Sequence, residues 1–330
     1  MNPELIDTQG RVVRDLRISV TDRCNLRCVY CMPAEGMPWL SKDLILSYEE
    51  IARVSRIALG LGVTGIRLTG GEPTVRADLP VLVKMLSDLR PGLDLSLTTN
   101  ALKLAAMAED LRAAGLTRVN VSLDTLDRER FHRIARRDRL ADVLAGLAAA
   151  HRAGLQPVKV NAVLDPTTGL EDAVSLLRFS LEHDYRLRII EQMPLDAGHE
   201  WSRGTTIGAD EVLATLQRHF TLTPDPAPRG SAPAQLWLVN GGPATVGIIA
   251  SVSDAFCSAC DRTRLTADGQ VRSCLFSREE TDLRALMRTG ADDAALEAAW
   301  RAAMWAKPAG HGINDPDFVQ PDRPMSAIGG

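Results

Sequence analysis

Six short runs in the first two thirds of this chain are apolar on one face only, yet each is joined to the next by a helix-length segment. The runs fall near residues 15–20, 64–69, 93–98, 118–123, 157–163 and 187–193. In the first, Leu16, Ile18 and Val20 alternate with Arg17 and Ser19; in the second, Ile66 and Leu68 alternate with Arg67 and Thr69. Leu93, Leu95 and Leu97 oppose Asp94, Ser96 and Thr98, and Val119, Val121 and Leu123 oppose Asn120, Ser122 and Asp124. Val158, Val160 and Ala162 oppose Lys159 and Asn161. Side chains alternate across a strand, so each run has one wet and one dry face. Helical connections demand parallel neighbours, and a flat parallel sheet covered on both sides would be apolar on both. An antiparallel sheet with one wet face fits the alternation but not the long connections. The pattern therefore predicts α/β architecture as a partial (β/α)6 barrel of TIM type. Its apolar residues face outer helices and its polar residues line a lumen that holds something polar.

Helices are expected at about 78–89, 102–114, 139–152 and 170–183. A capping box, Ser47-Tyr48-Glu49-Glu50, opens another helix that runs to about Ala58. A Pro-rich break over 221–235 suggests a boundary, with a barrel domain over 1–225 and a smaller C-terminal extension over 226–330. In the extension, strands are expected at 235–240 and 244–250, a hairpin at Asp268-Gly269, a second capping box at Ser277-Arg278-Glu279-Glu280 starting a helix, and a helix over about 292–306. The tail from Lys307 has little periodicity. The net charge of −4 argues against a nucleic-acid binder. The start lacks a basic region followed by an apolar one, and no apolar run reaches membrane-spanning length, so a cytoplasmic protein without membrane attachment is expected. Six cysteines in such a chain point to metal or redox use in a reducing compartment.

Three of those cysteines, Cys24, Cys28 and Cys31, lie in one loop directly after the first strand, where barrels of this kind place their chemistry. Thiolates are soft ligands for zinc or for iron–sulfur clusters. A structural zinc site wants four protein ligands, and the first histidine in the chain is His132. A cluster of four irons takes one thiolate per iron, so three leave one iron open to a small molecule. Gly70-Gly71-Glu72-Pro73 follows the second strand, and glycines there allow a close backbone approach. Loop and tetrapeptide together resemble the radical S-adenosylmethionine (SAM) enzymes. That resemblance implies a first 4Fe–4S cluster on Cys24, Cys28 and Cys31. It implies SAM contacts by Tyr30, Gly71, Ser122 and Met193, although taken alone Ser122 is a polar strand residue and Met193 a core filler.

A second set, Cys257, Cys260 and Cys274, again offers three thiols. Zinc with His311 or a carboxylate as fourth ligand is one reading; a second 4Fe–4S cluster, matching the first set, is the preferred one. Arg262 and Arg264 share a strand face beside it. With Arg17, Arg67 and Lys159, and Arg188 as an addition, they form a cationic pocket in an acidic protein, and guanidinium forks suit phosphate oxygens. The motifs around Arg17, Arg67 to Pro73, Thr98-Thr99-Asn100, Asn120 to Asp124, Lys159-Val160-Asn161 and the later cysteines resemble the branch of the superfamily that cyclises GTP in the first step of molybdenum cofactor biosynthesis. The resemblance implies a lyase with two 4Fe–4S clusters, SAM and GTP. It assigns Arg17, Arg67, Thr98, Lys159, Arg262, Thr263 and Arg264 to GTP, and Gly329 and Gly330 to catalysis from the tail. It further implies a flavodoxin- or ferredoxin-like electron donor, a product passed to cyclic pyranopterin monophosphate synthase, and a monomer or homodimer. Ala101 stands where that branch leads us to expect glycine, a departure expected to shift a turn slightly.

Overall fold

A computed structural model describes residues 4–329. Six parallel strands form the core of the wall: β1 (Asp15–Ser19), β2 (Gly65–Thr69), β3 (Asp94–Thr99), β4 (Arg118–Ser122), β5 (Lys159–Val163) and β6 (Arg186–Ile190). They are consecutive neighbours, each paired parallel to the next. The helices between them are α1 (Tyr48–Gly60), α2 (Leu79–Ser87), α3 (Ala108–Ala113), α4 (Arg128–Ala135), α5 (Leu140–Arg152) and α6 (Gly169–Glu182). Leu16, Ile18, Ile66, Leu68, Leu95, Leu97, Val119, Val121, Val160 and Ala162 are all buried in the core cluster. The opposite face carries the polar set, as the alternation requires.

Beyond α7 (Ala209–Gln217), the chain adds β7 (Leu222–Pro224), β8 (Gln235–Val239), β9 (Thr245–Ile249), β10 (Arg262–Leu265), β11 (Gln270–Arg272) and β12 (Thr281–Asp282), then α8 (Leu283–Arg288), α9 (Asp293–Trp305) and α10 (Met325–Ile328). These strands do not form a separate sheet. β9 pairs parallel with β6 and β10 pairs parallel with β1, so the later chain extends the wall at both edges. Among the described residues the result is one twelve-stranded sheet, ordered β12-β11-β10-β1-β2-β3-β4-β5-β6-β9-β8-β7, whose two ends are not paired with each other.

Three elements differ from the sequence reading. The helix expected over 102–114 is a tight turn at Leu104–Ala106 followed by the shorter α3, because Met107 leaves helical geometry at φ −135°. The segment 128–135 is a helix that charge density hid: Asp127 caps it by accepting from Arg130 N, and Phe131, Ile134 and Ala135 form its buried stripe. No helix starts at Ser277. Glu280, the other half of the expected box, instead pairs with Arg272 and Arg323, and Asp282 caps α8 by accepting from Ala285 N. The box at Ser47 and Glu50 does form reciprocally.

Candidate active site

Parallel register stacks lumen-facing residues into rows. Arg264, Arg17, Arg67, Ser96 and Arg118 are successive partners across five strands; Asn161 and Arg188 are partners further round. Four arginines in one row, with Arg188 further along the wall, would repel, and the wall manages this with few counter-charges. Asp15 lies 3.4 Å from Arg17 Nε and 3.9 Å from Arg67 Nη2. Burial pushes the Asp15 carboxyl up, but Arg17, Arg67 and Arg262 outweigh it and bring it down to about 2. Arg188 donates to Asn161 Oδ1 and Asn120 Oδ1, both at 2.9 Å, and burial with Arg17 and Arg118 lowers it to about 9. The Lys159 side chain has no hydrogen bond or ion pair among the described residues; burial, then Arg188, Arg118 and Arg67, lower it to about 7. Burial and the same crowding lower Arg67 and Arg264. Asp15, Arg17, Arg67, Lys159, Arg188 and Arg262 line a cavity of about 320 Å³, which opens past Arg14, Thr64, Asp94, Arg118 and Arg186 at the amino-terminal ends of the strands; Arg264 lies outside that lining and donates to the Gly329 carbonyl. Such a field is built to receive a multiply charged anion. The sequence reading had not named Arg118 or Asp15, although each shares a face with residues it did name.

Thr98 accepts from Asn120 Nδ2 at 3.4 Å on the lumen side. Thr263 does not join it: its hydroxyl accepts from Trp300 Nε1 at 3.1 Å on the outer face under α9. That face follows from alternation, since Arg262 and Arg264 point inward. Arg262 stacks over Phe256 with 4.7 Å to the ring centre, and its Nη2 donates to Ser231 O at 3.2 Å.

The first cysteine set hangs at the opposite, carboxyl-terminal end of β1. Gly70 and Gly71 hold it there. A Cβ on Gly70 would come within 2.5 Å of Thr21 O, and one on Gly71 within 2.4 Å of Asp22 O. The close approach is thus made by the backbone that leads into the cysteine loop, tied by Gly71 N to Thr21 O and Glu72 N to Arg23 O, both 2.8 Å. Glu72 is buried and accepts from Thr74 N, Thr74 Oγ1, Thr99 Oγ1 and Asn100 N, so its carboxylate braces the ends of β2 and β3. The carboxyl end of α4 completes the clasp, with Ile134 O and Ala135 O accepting from Val29 N and Arg27 N. Tyr30 donates to Asp124 Oδ2 at 2.7 Å, and burial raises that carboxyl to about 6. Tyr30 also lines a second cavity, of about 230 Å³, with Val163, Gln192 and Trp201. Ser122 and Met193 are half-buried nearby along the chain, at the end of β4 and just past β6.

The donor sets fit iron–sulfur clusters. Leu26 N and Asn100 Nδ2 both point at Cys24 Sγ, at 3.4 and 3.8 Å, the kind of N–H···S contact that ligating sulfurs take. Burial raises Cys24 to about 11 and Cys31 to about 12, so loading a metal releases protons. Cys257 and Cys260 flank a tight turn before β10, and Cys274 follows β11. Because β11 runs antiparallel to β10, Cys274 returns to the amino-terminal end of β10, beside Cys260. Burial raises Cys257, whereas at Cys260 burial is outweighed by Lys307 and Arg262, and the thiol is lowered. Both ring nitrogens of His311 have protein partners. Its Nδ1 accepts from Ile313 N and its Nε2 faces Ser251 O at 3.0 Å. Among the described residues no three His, Cys, Asp or Glu gather tightly enough for one metal ion, while a multi-iron cluster asks for a wider spread of thiolates. The two sets therefore sit at opposite ends of β1 and β10, with the cationic wall between.

The tail enters the same lumen. Gly329 is buried, its carbonyl accepts from Arg264, and a Cβ there would lie 2.9 Å from Thr69 Cγ2 and 3.1 Å from Ser19 Cβ. Gly330 lies outside the described residues.

Comparison with known proteins agrees with this geometry. The Radical SAM superfamily model matches residues 18–180, and the Molybdenum Cofactor Synthesis C model matches 185–313. The GTP 3′,8-cyclase of Mycolicibacterium smegmatis is 68% identical over 99% of this chain and 92% of its own length. The GTP 3′,8-cyclase 2 of Mycobacterium tuberculosis is 67% identical over the same shares. The crystal structure of Streptococcus suis SuiB bound to S-adenosylmethionine aligns with a TM-score of 0.61 at 14% identity, over 97% of this chain and 76% of that one, and shares the fold. Wall, cysteine loop and matched models define a radical SAM enzyme. Within that class, the chain belongs to the GTP 3′,8-cyclase family.

Proposed function

We propose that this chain converts GTP to (8S)-3′,8-cyclo-7,8-dihydroguanosine 5′-triphosphate, the first step of molybdenum cofactor biosynthesis. The observation that carries the reading is the cationic wall lying between two separate three-cysteine sets. When bound, the first cluster and SAM supply one-electron chemistry and an acceptor for a hydrogen atom.

The chain's own residues position and enclose. Cys24, Cys28 and Cys31 would hold the first cluster, and Tyr30, Gly71, Ser122 and Met193 would hold SAM at the carboxyl-terminal end. Arg17, Arg67, Thr98, Lys159, Arg188, Arg262 and Arg264 would hold the triphosphate of GTP, with Thr263 contributing through its placement of those two arginines. Cys257, Cys260 and Cys274 would hold the second cluster against guanine. The ribose then lies between the two ends, with C3′ turned toward the hydrogen acceptor and C8 within reach of C3′, so orientation supplies much of the rate. Gly329 would close the lumen from the tail and help exclude water, and the catalytic part expected of Gly330 belongs to the same proposal. The division into 1–225 and 226–330 rests on the Pro-rich break. A flavodoxin- or ferredoxin-like donor, delivery to cyclic pyranopterin monophosphate synthase, a monomer or homodimer and a cytoplasmic site complete the proposal; no helix among the described residues is long and apolar enough to cross a membrane.

Anaerobic incubation of the cluster-loaded protein with reductant, SAM and GTP deuterated at C3′ tests it. A chromatographically distinct isomer of GTP and deuterated 5′-deoxyadenosine are expected; unlabelled 5′-deoxyadenosine with GTP unchanged would sink the reading. Arg17→Ala should weaken GTP binding by tenfold or more, the ~1.5–3 kcal/mol of a charge-assisted contact, with both clusters intact.

A further inference from the structure

Lys307 lies two residues past the end of α9 and is only 4% exposed. Its Nζ donates to Cys260 O at 3.0 Å and to Arg262 O at 2.9 Å, and lies 3.5 Å from Cys260 Sγ. No carboxylate pairs with it among the described residues. A second buried cation, Arg11, clamps the same loop from the other side through Cys257 O at 2.7 Å, Ala309 O at 3.0 Å and Pro308 O at 2.6 Å. Arg11 is neutralised by Asp7 at 2.6 Å. The two clamps therefore differ in one respect: Arg11 brings its own counter-charge and Lys307 does not. An unpaired buried ammonium is costly, and a fold keeps one where an anion offsets it. The nearest candidate for that anion is the Cys260 sulfur.

We propose that Lys307 is a positioning residue that holds the ligand Cys260 and the substrate-facing Arg262 in one geometry, and that its uncompensated charge raises the reduction potential of the cluster on Cys257, Cys260 and Cys274. Both halves follow from one atom. A positive charge and an N–H donor at a ligating sulfur favour the more negative, reduced state of a cluster. The same Nζ spans the two carbonyls at the entry to β10, so the distance from cluster to phosphate site is set by this side chain. The inference rests on the reading that the later cysteines hold a cluster.

The test uses the full chain, reconstituted anaerobically, with Lys307→Met and Lys307→Gln. Glutamine keeps donors for the two carbonyls and removes the charge; methionine removes both. Iron and sulfide are counted, and each cluster is titrated against potential by electron paramagnetic resonance, with a Cys24→Ala, Cys28→Ala, Cys31→Ala background isolating the second. We expect the second cluster's midpoint to fall in both variants while the first stays in place, and the KM for GTP to rise several-fold in the methionine variant but far less in the glutamine one. A wild-type midpoint in both variants overturns the proposal, and so does failure of both to retain the second cluster. If the parent protein itself binds iron for one cluster only, the reading beneath the proposal falls, a result distinct from an unmoved potential.

Discussion

Lys159 is the lumen cation with the most to gain from a ligand. Burial and its arginine neighbours bring it down to about 7, so in the free protein it is substantially neutral above that pH. A bound triphosphate would restore the charged form. GTP binding above pH 7 should then take up a proton, a quantity read by calorimetry in buffers of different ionisation enthalpy; Lys159→Met should abolish it. For folding the sign runs the other way: between about 7 and the ordinary lysine range the unfolded chain holds more protons, so this group's contribution to stability grows as pH rises through that window. Ala101 is a second residue with a definite cost. It sits at φ +63°, in the left-handed region, against Gly146 of α5. Left-handed geometry costs about 1–2 kcal/mol outside glycine, and glycine returns part of that through the unfolded chain. Ala101→Gly should stabilise the protein by roughly 0.5–1 kcal/mol, read by denaturant unfolding. Most lumen residues were legible because alternation alone puts Arg17, Arg67 and Lys159 on one face. Lys307 was not legible, since a buried lysine bound to carbonyls leaves no periodic trace.

At the scale of elements, the cysteine loop is held by three things the sequence reveals unequally. Gly70-Gly71 was visible as a motif, but its close packing against the backbone of Thr21, Asp22 and Arg23 was not, since only the fold brings that backbone there. Glu72 was visible too, and its four internal bonds make it a brace. The clasp by α4 was hidden, because a helix with so many charges shows its stripe only through Phe131, Ile134 and Ala135. Gly71→Ala would drive a Cβ to within 2.4 Å of Asp22 O and 2.5 Å of Arg23 O, contacts that real side chains do not make. The backbone there must move, and the loop with it. The variant should keep the cluster of the later cysteines and lose the first, so iron content should fall to about that of one cluster, a four-iron unit holding one thiolate per iron. Iron content equal to the parent protein would show that the loop tolerates the shift.

The molecule as a whole has two mouths. The cavity at the amino-terminal ends of the strands is ringed by cations, and the one at the carboxyl-terminal ends is lined by Tyr30, Val163, Gln192 and Trp201. The six-strand core was readable from one-sided strands, but the joining of β9 and β10 to its edges was not, since pairing between strands far apart in sequence leaves no local signal. That joining is what brings Arg262 and Arg264 into line with Arg17 and sets the later cysteines at the opposite end from the first. Two ligands arriving through opposite mouths do not block one another. GTP should bind the cluster-loaded, unreduced protein without SAM, SAM should bind it without GTP, and saturating either should change the affinity of the other by less than about tenfold, or ~1.4 kcal/mol of coupling. Calorimetric titration of each ligand with and without the other measures this, and mutual exclusion would place both ligands at a single mouth.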